Sequence, residues 1–263
     1  MSDEIPPRAG PARTFAPVGF GMLILIAASF FACGIFAKGD TKAADEAFEK
    51  GIEYRKTSKY DDAISAFTMA IRLNPHHAEA YYNRGTTLFD KAKVVDAIAD
   101  FNRAITYKPR YPEAYNDRGY AYLCGGDLDQ AVADFSRAIE LNPYNFEAYY
   151  NRANVYKFKG RIDQAIADFS MAIRANPEEG ECYYSRGNLY LFKGSLDEAL
   201  ADFDMAIKLN PYDSDAYTKR AKAYFMKRDY AKSWENVRKV GSLGYKIDAR
   251  FLEQLKAASG REE

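Results

Sequence analysis

The chain has 263 residues, 48% hydrophobic and 28% charged, which excludes disorder over most of its length and supplies apolar material for one folded unit plus an appendage. Lys+Arg and Asp+Glu both number 37, so no overall field draws the chain toward nucleic acid or an anionic membrane surface, and any recognition by charge must be local. The cysteines, Cys33, Cys124 and Cys182, are odd in number and lack CxxC or Cys/His spacing, which excludes a fully paired disulfide framework. Cys124 and Cys182 read as small packing residues.

A tail at 1–14 leads into an uncharged run from Phe15 to Ala37. This run is long enough to cross a hydrocarbon core, which takes a helix of about 20 residues, so a transmembrane helix is expected at 15–37. Arg8 and Arg13 precede it and Lys38 and Lys42 follow it, a near balance. The short leader favours an N-terminus inside, placing everything after Lys38 on the periplasmic or extracytoplasmic side. Other fates stay open: removal as a signal near Ala32-Cys33-Gly34, lipidation of Cys33, or insertion the other way round. Phe30-Phe31-Ala32 is a poor match to the residues that usually precede a lipidated cysteine.

The remainder is periodic. Pro75, Pro109, Pro143, Pro177 and Pro211 recur every 34 residues, four of them preceded by Asn. With that proline as position 32, the units are 44–77, 78–111, 112–145, 146–179, 180–213 and 214–247, after a linker at 38–43 and before a capping helix and tail at 248–263. Position 8 is always Gly or Ala, position 20 Ala or Ser, and position 27 Ala until Val240. Large residues alternate with these: Tyr81, Tyr115, Tyr149, Tyr183 and Tyr217 at position 4, and Phe67, Phe101, Phe135, Phe169 and Phe203 at position 24. Apolar positions 4, 8 and 11, then 17, 20, 21, 24, 27 and 28, predict two amphipathic helices per unit. Gly125-Gly126-Asp127, Gly160 and Gly194 mark the turn between them, and Asn-Pro ends the second, because a residue before proline is pushed out of the helical region. A single hairpin has too little core to stand alone, so stacking must supply the stability. Asp248 opens a last predicted helix, with Phe251, Leu252 and Leu255 covering the final face.

With large residues at 4 and 24, Gly or Ala at 8, Ala at 20 and 27 and Pro at 32, residues 44 to 245 resemble the tetratricopeptide repeat family, met five times in phase. The resemblance implies an all-α, right-handed solenoid of about six helical hairpins, here behind one N-terminal transmembrane helix. Three features depart from the family pattern. Position 7, usually Leu, is Arg84, Arg118, Arg152, Arg186 and Arg220. The sixth unit lacks its proline and carries Trp234 and Val237, and the first has Ala47 at position 4 and Lys50 at position 7. Atypical ends suit the terminal units of a stack.

The resemblance also implies a concave groove lined by the first helices. Position 2 contributes Glu79, Glu113, Glu147 and Glu181, position 5 Tyr82, Tyr150 and Tyr184, position 9 Tyr120, Asn154 and Asn188, and positions 12 and 13 Phe89, Phe158 and Phe192. Such an acidic, aromatic groove suits a peptide bearing Lys or Arg and apolar side chains, although the position-2 acids also favour helix N-termini by charge alone. Relatives that grip a chaperone's C-terminal carboxylate use Lys at positions 2 and 5. Here position 2 is never Lys and position 5 never basic, which excludes that mode.

No sequence feature points to catalysis. Phosphate-loop, dinucleotide and nucleophile-elbow patterns are absent, Asp61-Asp62 opens a helix, and His76-His77 falls in a surface turn without nearby ligands, so no catalytic, cofactor or metal site is expected. About 20 residues follow the repeats, too few for a catalytic domain. Asp100, Asp134, Asp168 and Asp202 at position 23 match the arginines of position 7. They are expected to form exposed ion pairs within or between units, the alternative being an anion-binding arginine stripe. The chain reads as a membrane-tethered, non-enzymatic scaffold that binds a protein or peptide partner for assembly of an envelope complex. A pilus- or secretion-assembly factor and a non-catalytic subunit of an envelope enzyme are the alternatives.

Overall fold

The computed structural model describes residues 39–261. Among these, thirteen helices and no strands occur. They are α1 (Gly39–Lys56), α2 (Tyr60–Leu73), α3 (Ala78–Asp90), α4 (Val94–Tyr107), α5 (Pro112–Cys124), α6 (Leu128–Leu141), α7 (Phe146–Phe158), α8 (Ile162–Ala175), α9 (Gly180–Lys193), α10 (Leu196–Leu209), α11 (Ser214–Met226), α12 (Tyr230–Ser242) and α13 (Ala249–Ser259). Each helix packs on the next, and first helices of successive units also touch, as in α1 with α3, α3 with α5, α5 with α7 and α9 with α11. The result is a helical solenoid. α1 already begins at Gly39, so the expected linker belongs largely to this first helix, where Ala44 is buried and Lys42 pairs with Glu46 one turn on. The expected transmembrane segment lies outside the described residues, and no helix among those described is long and apolar enough to cross a membrane.

The repeat's punctuation has local causes. At Asn74, Asn142, Asn176 and Asn210 the backbone turns extended before proline, and each side-chain oxygen accepts the backbone N–H two residues later, at 3.1 to 3.3 Å. Asparagine therefore closes the second helix and shapes the turn into the next unit. The following helix is capped from position 34 by Asn145 or Asp213, and by His77 in the first turn of this kind. His77 is thus more than a surface-turn residue: its Nδ1 accepts the Ala80 N–H and its ring lies 4.9 Å from that of Phe48, while His76 is exposed.

The other turn places position 15 in the left-handed region in every unit. Gly126, Gly160 and Gly194 do so freely, but Ser58, Ala92 and Arg228 do so with φ of 57°, 59° and 62°. The geometry is imposed by the hairpin, since an L-residue here costs about 1–2 kcal/mol.

Packing within a unit is a phenylalanine set into a slot of small residues. Phe67, Phe101, Phe135, Phe169 and Phe203 are fully buried, as are the alanines at positions 20 and 27. A Cβ at Gly85, Gly119 or Gly187 would lie 2.9 Å from the facing ring, so position 8 admits nothing large. In the sixth unit the pattern gives way to an end-cap. Trp234 is buried with its Nε1 donating to Ser259 Oγ at 3.0 Å, and α13 covers the stack with Phe251 and Leu255, its N-terminus capped by Asp248.

Ala92→Gly should raise stability by about 0.5–1 kcal/mol, the left-handed strain relieved exceeding the chain entropy added. Urea denaturation followed by helical ellipticity measures it; an unchanged or lower midpoint would contradict a strained turn.

Candidate functional site

Register between units is fixed by the arginines of position 7. Arg152 donates Nε and Nη2 to Asp168 at 2.7 and 2.8 Å within its own unit, and Nη1 to Ser136 Oγ of the preceding unit at 2.8 Å. Arg84, Arg118 and Arg186 repeat this with Asp100, Asp134 and Asp202, reaching back to Thr68, Asn102 and Ser170. The guanidinium also lies 5.8 to 5.9 Å from two tyrosine centroids at Arg152, with Tyr149 and Tyr156, and at Arg186, with Tyr183 and Tyr190, whereas Arg84 and Arg220 each face one. At Arg220 the carboxylate moves to the other side of the joint: Nε donates to Asn236, and Nη1 to Asp204 of the preceding unit.

The expected ion pairs form, with one correction to their setting. The aspartates at position 23 are buried, at 4 to 6% exposure, rather than lying in exposed pairs. Each of these guanidinium groups is already paired with a carboxylate, which argues against the alternative of an anion-binding stripe. A second, exposed tie links Lys91, Lys159, Lys193 and Lys227 to Asp61, Asp129, Asp163 and Asp197 of the preceding unit. Between the second and third units Val95 and Gly125 take these places, and Val95 is left exposed.

The face of the first helices holds the expected groove residues, in two groups. Tyr82, Glu113 and Glu147 line one concavity of about 350 Å³ together with Asn116, Asp117 and Tyr144. Phe89 and Tyr120, edge-to-face at 5.6 Å, line a neighbouring one of about 200 Å³ with Arg55, Asp90 and Asp117. Tyr150, Asn154, Phe158, Glu181, Tyr184, Asn188 and Phe192 continue along the fourth and fifth units, outside these two concavities. Their roles differ by burial. Tyr82, Tyr150 and Tyr184 are half-buried, with hydroxyls held above the usual phenol range by burial, so they form a floor. Phe158 and Phe192 are 78% exposed. Asn188 is half-buried, and Asn154 spends its Nδ2 on the Tyr150 carbonyl. Of the acids, Glu113, Glu147 and Glu181 stand exposed in the first turns of their helices, Glu181 accepting from Ser185 Oγ. Glu79 is instead taken up by Lys108 at 2.8 Å.

A polar chain, of which only Tyr82 belongs to the expected set, runs across three units. Tyr82 Oη donates to Asp117 Oδ2 at 2.8 Å, Asn116 Nδ2 donates to Asp117 Oδ1 at 3.2 Å, and Asn151 Nδ2 donates to Asn116 Oδ1 at 3.2 Å. Burial is the main influence on Asp117 and pushes its carboxyl up, against the two hydrogen bonds it accepts. The signal in the sequence is a departure at position 6, where the neighbouring units have Asn83 and Asn151. Cys124 proves to be exposed rather than packed, whereas Cys182 is buried and its thiol pushed up to about 12 by burial.

Sequence models described as tetratricopeptide repeat match residues 48–115, 150–214 and 184–233, and another, described as TPR repeat, matches 119–160. The chain belongs to the tetratricopeptide repeat family. Among solved structures, MamA is similar at 28% identity and TM-score 0.59, over 64% of this chain and 92% of that one. YrrB, a TPR protein described as having an unusual peptide-binding site, shares the fold at 22% identity and TM-score 0.57, over 68% of this chain and 96% of that one. Hsp70-Hsp90 organizing protein 1 of Glycine max is 53% identical over 45 residues, which are 17% of this chain and 8% of that protein. The fold is that of a protein–protein interaction scaffold, in which stacked tetratricopeptide hairpins bury their apolar faces against one another.

Two outcomes test this account. Arg152→Leu should cost about 3–5 kcal/mol by leaving Asp168 buried without a counter-charge, and the double change Arg152→Leu with Asp168→Leu should cost clearly less. Denaturant unfolding of both variants decides it, and equal losses would contradict a buried ion pair. Asp117→Asn should stabilise the fold in a pH-dependent way. A carboxyl raised in the folded state costs stability once ionised, so the gain is absent below the ordinary value of about 3.9 and grows as pH rises through the raised folded value. Unfolding midpoints of both proteins at acid and neutral pH provide the measurement.

Proposed function

We propose that this protein is a non-enzymatic scaffold, tethered to a membrane through residues 15–37, whose groove along α3, α5, α7 and α9 holds a peptide segment of a partner during assembly of an envelope complex. The observation that carries the groove reading is an inversion of burial. Phe158 and Phe192 stand in water at equivalent places on successive first helices, while four arginine–aspartate pairs, from Arg84 with Asp100 to Arg186 with Asp202, are taken inside. A monomer gains nothing from such a ridge, and exposed apolar side chains beside half-buried tyrosines are what a partner covers. The acids Glu113, Glu147 and Glu181 along the same face favour a segment that carries basic as well as apolar residues. They also disfavour a carboxylate tail, and the 45-residue likeness to a chaperone organiser does not alter that charge pattern.

The tether rests on the uncharged run Phe15–Ala37, and the helical start at Gly39 gives the first hairpin little slack from it. The short leader with Arg8 and Arg13 favours the repeats lying on the extracytoplasmic side.

Crosslinking in native membranes tests the whole reading. The wild-type chain should remain in the membrane fraction after a high-salt wash and yield a discrete crosslinked partner. Tyr150→Ala with Tyr184→Ala should lower the yield of that partner at least several-fold without releasing the chain from the membrane. Unchanged yield from the double variant would reject the groove, and a chain recovered in the soluble fraction would reject the tether.

A further inference from the structure

The concavity between the first and third units deepens the groove reading, on which this inference rests, by specifying one residue of the bound segment. We propose that Asp117 anchors a cationic side chain, lysine or arginine, of the bound polypeptide, against the rings of Phe89 and Tyr120.

Four observations converge on this site. The first is a contrast among carboxylates. Asp100, Asp134, Asp168 and Asp202 each carry a bidentate arginine, whereas Asp117 accepts its hydrogen bonds from the neutral donors Tyr82 Oη and Asn116 Nδ2. A carboxylate drawn out of water with no cation paired directly to it costs stability, and burial pushes this one up by more than the nearby Arg55 draws it down. The second is that the cost is avoidable. The units on either side have Asn83 and Asn151 at the same position, so the fold accepts the neutral amide.

The third is the wall of the concavity, about 200 Å³ in volume, where Phe89 and Tyr120 meet edge-to-face at 5.6 Å and present ring surface. Ring faces attract cations, and most strongly where water is excluded. The fourth is charge. The concavity's own cation, Arg55, is engaged with Asp90 at 3.3 Å, so Asp117 is left as the excess negative charge. A lysine or arginine entering here exchanges water for a carboxylate and two rings, and relieves the isolated charge as it binds. A divalent metal ion is a poorer fit, because one carboxylate flanked by amide and phenol donors offers few oxygen ligands.

The test uses the full-length chain in detergent and four degenerate peptide pools that differ only in one fixed central residue: arginine, lysine, citrulline or glutamate. Citrulline keeps the shape of arginine and removes its charge. Fluorescence anisotropy should show the arginine and lysine pools binding about tenfold or more tighter than the citrulline pool, with most of that ratio surviving 0.5 M salt, since a partly buried pair is poorly screened. Asp117→Asn should bring the ratio close to one. Tyr120→Ala should lower it several-fold while Asp117 is intact.

If the wild type and Asp117→Asn give the same ratio, the inference falls and the groove reading stands. A preference that vanishes in salt in both proteins assigns the effect to Glu113 and Glu147 at large and also overturns the anchor. Absence of binding by every pool would remove the anchor and the groove together.

Discussion

The structure depends on one repeated contact, a guanidinium beside one or two tyrosine rings, clamped in four units by the aspartate of its own hairpin and hooked to the hairpin before it. Leucine at this place would fill space, and the aspartate opposite would then have no reason to be inside. Arginine commits the joint to a geometry. Its planar fork satisfies both carboxylate oxygens at once, and its remaining donor reaches only a hydroxyl, amide or carboxylate presented at the right rise along the neighbouring helix. Apolar packing of phenylalanine against alanine tolerates small slides, whereas this contact does not. The sixth unit shows that charge balance is the constraint, because when Asn236 replaces the aspartate, Asp204 supplies the negative charge from across the joint.

A fold that hides its arginines can leave its phenylalanines outside. Each hairpin spends phenylalanine 24 and its alanines on its own core and arginine 7 on the joint, so the exposed edge of the first helix is released from structural duty. There the units stop being copies of one another. Phe158 and Phe192 stand in water on the fourth and fifth units, while the equivalent places on the second and third hold Asp90 and Cys124. The groove is therefore two-part: apolar toward the C-terminal units, and polar where the chain from Tyr82 through Asp117 to Asn151 crosses the second, third and fourth. The same region lacks the lysine–aspartate tie found at the other joints, with Val95 and Gly125 in its place. The two concavities lined by Asp117 flank the joint where this tie is missing.

Much was legible before any coordinates. Proline every 34 residues, the small residues at positions 8, 20 and 27, and the phenylalanine at 24 left one arrangement of hairpins, because those constraints are local or act between nearest neighbours in a periodic stack. The helix ends were legible for the same reason, since Asn-Pro and the capping aspartates act within a few residues. Even Phe251 and Leu255 could be assigned to the final face, as a stack must end somewhere. The first helix was misjudged at its start, because the residues before Ala44 lie outside the repeating pattern that defined the units.

What the sequence could not decide was the accessibility of its own charges. Arginine 7 and aspartate 23 sit on opposite helices, and whether such a pair is wet or dry depends on how closely two hairpins approach, a quantity no single helix encodes. Glu79 looked like its equivalents at position 2 until Lys108 came to lie on it. Asp117 was not among the expected groove residues, and only the fold brings Tyr82 and Asn116 onto its carboxylate. The sequence by itself determined the hairpin, its period and its stacking, because each follows from short-range pattern. Only the tertiary structure decided which carboxylates are spent on the fold and which are left without a paired cation, because that is settled by distances across joints and by how much water those joints exclude.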